Sequence, residues 1–340
     1  MRRSTLALAG VTAGAGLLYV LAWAGGEEGI GWKSAGKLPD RLDVKRVWLT
    51  GETSGIVAGT LPGDPSSGAG TKEKIEAERA VIFRSTDGGT NFVQALESPG
   101  SMIAVDFCDD KHGWAVVARP RESGEGSYYF LVSTQDGGAS WREVGGIPAQ
   151  SVTQVVRAGV DRGWVMGANT LLRTTDTGSN WTPGTAPGKR NAASERIVVD
   201  GPEGLLILGK GSILRTQDGG ANWQVGVIEG GARAQVARGG WAVVGDVSGA
   251  VFGRLDGVNL AKAGDLPAGI RADALVVEGQ VVRIVAASGA GGETVILTSG
   301  DAGAHFRVQS VPVPASAHVG LFGPRAGWAV TLDRTVLAGP

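Results

Sequence analysis

Acids, nucleophiles and metal ligands decide what chemistry this 340-residue chain can perform. Glycoside hydrolysis needs two carboxylates facing one another across a bond. Asp109-Asp110, Glu122 and Asp161 are acidic without any paired spacing, and Asp109-Asp110 fit a turn between two strands. There is no Ser/His/Asp order, no phosphate-binding glycine loop and no dinucleotide fingerprint. The single cysteine, Cys108, excludes an internal disulfide and cysteine-rich zinc or iron–sulfur sites. Three histidines, His112, His305 and His318, leave little for a histidine metal site. We therefore expect no catalytic residues, no metal and no cofactor.

Five aspartates instead recur in one local pattern. They lie in Arg84-Ser-Thr-Asp87-Gly-Gly-Thr-Asn-Phe92, Ser133-Thr-Gln-Asp136-Gly-Gly-Ala-Ser-Trp141, Arg173-Thr-Thr-Asp176-Thr-Gly-Ser-Asn-Trp181, Arg215-Thr-Gln-Asp218-Gly-Gly-Ala-Asn-Trp223 and Thr298-Ser-Gly-Asp301-Ala-Gly-Ala-His-Phe306. An aspartate in a tight turn accepts hydrogen bonds from the backbone N–H groups that follow it, and the glycines permit positive φ. The aromatic residue then returns between sheets. This chemistry stabilises turns, so Asp87, Asp136, Asp176, Asp218 and Asp301, with Phe92, Trp141, Trp181, Trp223 and Phe306, are assigned structural roles. The steps between aspartates are 49, 40, 42 and 83 residues. The last implies a worn copy, which Arg254-Leu-Asp256-Gly-Val-Asn259-Leu260 supplies, two residues short. A period of about 40 in apolar, β-rich runs indicates four-stranded propeller blades.

A second marker precedes each turn. Gly113-Trp114, Gly163-Trp164, Gly240-Trp241 and Gly327-Trp328 start one kind of strand; Gly55-Ile56, Gly204-Leu205 and Gly279-Gln280 take that place in three more blades. Seven blades follow, each with strand A before this glycine, B from it, C into the turn and D from the aromatic residue. The last blade runs out of chain before strand D. Gly31-Trp32-Lys-Ser-Ala-Gly-Lys-Leu-Pro39 resembles a strand D and is expected to close the ring, removing two exposed edges. The fold class is thus an all-β, seven-bladed propeller over residues 30–340, and a monomeric one.

Residues 1–29 stand apart. Met1-Arg2-Arg3 precedes an uncharged run over residues 4–26 that reads as a signal peptide cleaved after Ala22-Trp23-Ala24, or as an uncleaved membrane anchor. Both place the propeller outside the cytoplasm, periplasmic or secreted. With Lys+Arg 32 against Asp+Glu 33, the net charge of −1 gives no basic footprint for nucleic acid.

Ser/Thr-x-Asp-x-Gly-x-x-aromatic resembles the Asp box, or BNR repeat. Together with Gly-Trp-Ala-Val, the stretch Gly211 to Trp223 is similar to the photosystem II stability and assembly factor type of Asp-box propeller. That resemblance implies a seven-bladed, exported, non-enzymatic protein that binds membrane-protein assembly intermediates. The short blade-5 box and the missing Gly-Trp pair of blades 4 and 6 depart from the pattern. Asp boxes also occur in sialidases and other glycan-cleaving propellers. A sialidase-like site needs clustered arginines and a tyrosine nucleophile beside a glutamate, but only Tyr128 and Tyr129 follow residue 29. The glycan-binding or glycosidase-like reading is the alternative, and the central mouth discriminates between the two.

Binding residues concentrate on long loops of a rigid scaffold. The marker-to-aspartate distances are 32, 23 and 22 residues in blades 1, 2 and 6, against 13 or 14 in the tightest blades. Long B–C loops should therefore raise a lip on one side of one face. Lys72, Lys74, Arg119, Arg121 and, from the blade 3–4 connection, Lys189 and Arg190 are the expected protein-binding residues. Arg84, Arg173 and Arg215, three positions before their aspartates, and Arg254 form either a basic patch or, the expected arrangement, inter-blade pairs with carboxylates.

Overall fold

A computed structural model describes residues 31–63, 78–121, 125–188, 195–209, 211–227, 233–237, 239–246, 248–288, 292–314, 318–322 and 326–339. The signal or anchor segment, Lys72, Lys74, Lys189 and Arg190 lie outside these residues. Among those described, no helix is long and apolar enough to cross a membrane.

They form seven four-stranded antiparallel sheets. Strands A to D are Asp43–Leu49, Gly55–Leu61, Arg79–Ser85 and Val93–Pro99 in blade 1; Ser101–Phe107, Gly113–Pro120, Ser127–Thr134 and Arg142–Ile147 in blade 2; and Gln154–Arg157, Gly163–Gly167, Thr170–Thr174 and Thr182–Pro183 in blade 3. Blade 4 has Arg196–Val199, Leu205–Gly209, Ser212–Thr216 and Gln224–Val227; blade 5 has Arg233–Val236, Trp241–Asp246, Gly249–Asp256 and Asn259–Asp265. Blade 6 has Ile270–Glu278, Val281–Ser288, Glu293–Ser299 and Arg307–Pro314. Blade 7 takes A to C from His318–Phe322, Ala326–Val330 and Thr335–Gly339, and D from Lys33–Lys37.

Burial explains the composition of each strand. Strand B is covered on both faces by neighbouring blades, so Gly55–Leu61 and Gly163–Gly167 are buried almost residue by residue. Strand D is outermost and is mostly exposed or half-buried. The apolar core consequently lies in the seams. Trp328 and Val336 of blade 7 pack with Val44, Val57 and Val81 of blade 1; Ile56 and Ile82 of blade 1 pack with Val105 and Val117 of blade 2. The A strands lie innermost and form the wall of the axis, touching one another at most seams between blades.

The ring closes as the sequence predicts. Ser34 pairs with Leu337 and Lys37 with Thr335. Trp32 joins Val319, Leu321 and Leu337 in one cluster. A Cβ on Gly339 would stand 2.6 Å from the Trp32 ring, so glycine is what lets the two chain ends meet this closely.

One loop expectation is corrected. Blade 6 spends its extra residues on longer strands: B and C have 8 and 7 residues, against 5 and 5 in blade 3. Continued pairing from Val282↔Ser299 to Ser288↔Glu293 satisfies backbone groups that a loop would leave to solvent. Blade 2 does the same, with 8 residues in each of B and C, so the long B–C connection belongs to blade 1.

Candidate functional site

The five aspartate turns share one hydrogen-bond scheme. A buried hydroxyl two residues before each aspartate (Ser85, Thr134, Thr174, Thr216, Ser299) donates to its Oδ1 at 2.7–2.8 Å. The same hydroxyl accepts the N–H of the second following residue, always glycine, at 2.8–3.1 Å. Oδ1 accepts the N–H four residues on at 2.9–3.0 Å. Oδ2 accepts that residue's side chain, from Asn91, Ser140, Asn180, Asn222 or His305, at 2.6–2.7 Å. The turn thus depends on the hydroxyl as much as on the carboxylate. Gly88, Gly137, Thr177, Gly219 and Ala302 each donate N–H to a carbonyl of their own blade's A–B turn, tying both turns on this face together.

These donors stabilise the carboxylates. The Asn91 backbone N–H, then the Asn91 amide and the Ser85 hydroxyl, bring Asp87 down to about 2; Asn222 and Thr216 do the same for Asp218. Asp176 and Asp301 are lowered similarly, by Asn180 and by Ser299 with His305. A carboxyl with a depressed folded-state pKa stabilises the fold above its unfolded value and ceases to do so as pH falls through its folded value. The boxes should therefore lose stability together as pH falls from 3.8 to about 2. Thermal unfolding followed across that interval should give a flatter profile for D87N/D218N than for the wild type. An unchanged acid slope would refute this assignment.

Box aromatics pack against the preceding blade. Phe92 meets Trp328 edge-on, with centroids 5.8 Å apart, and Trp181 meets Trp114 at 6.3 Å. The arginines three positions before the aspartates reach the following blade: Arg84 Nε donates to Gly137 O at 3.2 Å and Arg215 Nη1 to Gly257 O at 2.9 Å. Carboxylate pairing holds for Arg173 with Glu203 of the next blade and for Arg215 with Asp200 of its own. Arg254 lies 6.0 Å from the Trp241 ring. In blade 5 the strands join through a two-residue turn, Asp256 pairing with Asn259, in place of a box.

The opposite face carries a different arrangement. Strand A begins at this end in every blade, so the first residues of the A strands ring the mouth. Arg196 opens strand A in blade 4, Arg271 is second in blade 6 and His318 opens blade 7. Lys45 and Arg46 lie early in blade 1. Lys45 pairs with Asp43 at 2.7 Å and Arg271 with Asp273 at 3.2 Å. Arg196 donates to Gln235, and Gln235 Nε2 reaches Ala272 O at 3.3 Å, linking three successive blades. Gln154 joins blades 3 and 4 by bonding Glu195 O and Ile197 N at 2.7 and 3.0 Å.

Arg46 differs from its neighbours. Among the described residues it makes no hydrogen bond or ion pair; its guanidinium lies 5.1 Å from the Trp48 ring centroid. Its side chain is exposed, on an inner strand that neighbouring blades surround. Enclosure and the like charge of Arg196 lower its pKa, against the pull of Asp106. It remains a cation, since guanidinium does not deprotonate in proteins. Enclosure likewise lowers the pKa of His318, which also feels Asp43, Lys45, Arg334 and Arg46. A planar five-donor cation suits a carboxylate or a phosphate, which it can take through two parallel hydrogen bonds.

Of the residues expected from the sequence to bind a partner, Arg119 and Arg121 are described and lie together at the rim of blade 2. Arg119 holds Glu143 Oε2 at 2.6 Å and Ser98 Oγ at 2.9 Å, over the Phe130 ring. Arg121 stacks on Tyr128 at 4.7 Å. Tyr128 and Tyr129 belong to strand C, third from the axis, and so stand away from the mouth. The mouth therefore combines arginines with no strand-A tyrosine. Sequence reasoning missed Arg46, Arg196 and Arg271. Aligning the predicted A strands would have shown a cation at their start in several blades.

Residues 92–254, a little under half of the chain, match the family model for the photosynthesis system II assembly factor YCF48. No curated protein matches the chain. A solved structure of YCF48 bound to D1 peptide superposes with a TM-score of 0.59 at 16% identity, over 91% of this chain and 96% of that one. YCF48 from Cyanidioschyzon merolae gives 0.59 at 15%, over 91% and 98%. A GH74 xyloglucanase from Xanthomonas campestris gives 0.57 at 13%, with 90% of this chain covering 53% of the enzyme. The chain is an Asp-box propeller that resembles the photosystem II assembly factor family.

Proposed function

We propose that this Asp-box propeller is a non-catalytic assembly scaffold whose mouth holds a carboxylate of a protein segment. Arg46 carries the reading: an exposed guanidinium on an inner strand, without a hydrogen-bond or ion-pair partner among the described residues, in electrostatic range of Arg196. The similar YCF48 structure bound to D1 peptide supports a peptide as the ligand. The A strands offer no tyrosine nucleophile at the mouth, and the carboxylates Asp43 and Asp273 there are each paired with a cation of their own strand. The finer reading places the protein outside the cytoplasm, with residues 4–26 as signal or anchor and a membrane-protein complex as the partner.

Crosslinking and affinity purification from native membranes test the scaffold directly. A charge-assisted hydrogen bond contributes about 1.5–3 kcal/mol, so R46E should weaken partner capture roughly tenfold or more, and R46E/R196E further. Undiminished recovery of the same partners by the double variant, at unchanged thermal stability, would discard the mouth as the binding surface. A reporter enzyme active only outside the cytoplasm, fused after residue 339, tests location independently.

A further inference from the structure

The A–B turn of blade 2 brings the only cysteine together with two other potential metal ligands. It lies on the Asp-box face, away from the mouth, and takes no part in the proposed binding. The hairpin is closed by the pair Phe107↔Gly113 and by Cys108 N–H donating to His112 O at 3.0 Å. Within it, one ligand atom each from Cys108, Asp109 and His112 lie within 4.8 Å of one another. Cys108 Sγ is 3.8 Å from Asp109 Oδ2, and His112 Nδ1 is 2.8 Å from that same oxygen.

We propose that Cys108 Sγ, Asp109 Oδ2 and His112 Nδ1 bind a Zn2+ ion, with solvent in the fourth position. Thiolate, imidazole and carboxylate are the donors this ion takes, at about 2.3 Å for sulfur and about 2.0 Å for nitrogen and oxygen. Tetrahedral geometry at those lengths puts sulfur about 3.5 Å and nitrogen about 3.3 Å from the oxygen. The observed 3.8 and 2.8 Å lie on either side of these values, so small side-chain rotations admit the ion.

The surroundings hold the ligands in place. Asp109 Oδ1 accepts Lys111 N–H at 2.8 Å and His112 N–H at 2.6 Å, which orients the carboxylate with Oδ2 toward Cys108 Sγ and His112 Nδ1. Burial acts to raise the Asp109 pKa, but these donors together outweigh it and keep the group ionised. Gly137 of the blade-2 box donates to Lys111 O at 3.0 Å, anchoring the turn. Arg157 is near enough to interact with the charges of Cys108 and Asp109. Thiolate and carboxylate neutralise the dication, so this guanidinium meets an uncharged cluster. On binding, the Zn–S and Zn–N bonds form as the thiol proton passes to solvent and the Nδ1 proton shared with Asp109 leaves for solvent or for Nε2, which makes affinity fall with acidity.

Co2+ and Zn2+ titrations of the purified protein test the site. One Co2+ per chain should produce thiolate-to-cobalt charge-transfer absorption that Zn2+ displaces, and Zn2+ should protect Cys108 from alkylation. C108S should abolish the charge-transfer band. H112N should weaken Zn2+ at least about 100-fold, the upper end of what losing even an outer-sphere partner costs. D110N, whose carboxylate lies outside the cluster, should bind as the wild type does. Circular dichroism checks that each variant is folded. Absence of the charge-transfer band in the wild type, or Zn2+ affinity in C108S and H112N equal to that of the wild type, would overturn the proposal.

Discussion

Replacing Arg157 with methionine should lower the free energy of unfolding by about 4 kcal/mol, the range found when one partner is removed from a buried charged network. Arg157 ends strand A of blade 3 and is fully buried. Its guanidinium donates to Gly159 O at 3.1 Å, Gly113 O at 2.9 Å, Thr134 O at 3.4 Å and Val160 O, and lies 4.9 Å from the Trp114 ring centroid. Its backbone N–H meets Asp106 Oδ2 at 2.8 Å. Methionine keeps much of the apolar stem and fills similar space, so the loss isolates the donors. Asp106, itself buried, would then lose one of the positive charges acting on it. Denaturant unfolding of R157M measures this, and a loss below about 1 kcal/mol would show that the network contributes no more than one ordinary hydrogen bond.

Gly303→Ala should cost about 3 kcal/mol, from positive-φ strain and overpacking combined. Gly303 sits at φ 89°, and a Cβ there would stand 2.1 Å from Phe252 Cδ1. Gly88 separates the two contributions. It has φ 74° with nothing within 4 Å, so Gly88→Ala carries the backbone strain alone, about 1 kcal/mol. Thr177 and Ala302 occupy the equivalent of Gly88 at φ 63° and 57°, showing that this position accepts a side chain. The position after it is glycine in all five boxes because it presses on the preceding blade: on Ile56 at Gly138, Leu131 at Gly178, Trp164 at Gly220. Equal losses in the two variants, read as urea midpoints at constant slope, would assign the whole effect to backbone strain.

The box-face arginines divide the same way between local and distant causes. Their repetition predicted contacts to the next blade, and Arg173 meets a carboxylate there. Arg84 meets a backbone carbonyl, Gly137 O. The acceptor depends on where the neighbouring turn ends, which the arginine's own segment does not encode. Blade 6 shows a related limit. A long marker-to-aspartate distance is the same whether its residues loop or continue pairing, and Glu293–Ser299 continues pairing.

The sequence alone determined the repeat, the strand order within each blade, the turn chemistry of the boxes and the closure of the ring by Trp32 and its strand. All of these rest on interactions within about one repeat, or on an edge strand's need for a partner. The mouth was settled only by tertiary structure. Its cations come from blades 1, 4 and 6, far apart in the chain, and become neighbours because the ring closes. Bulges between Val44 and Arg46, and between Ala272 and Ala274, shift the register of those inner strands. One added residue reverses which face every later side chain takes, so simple alternation could not show where Arg46 points.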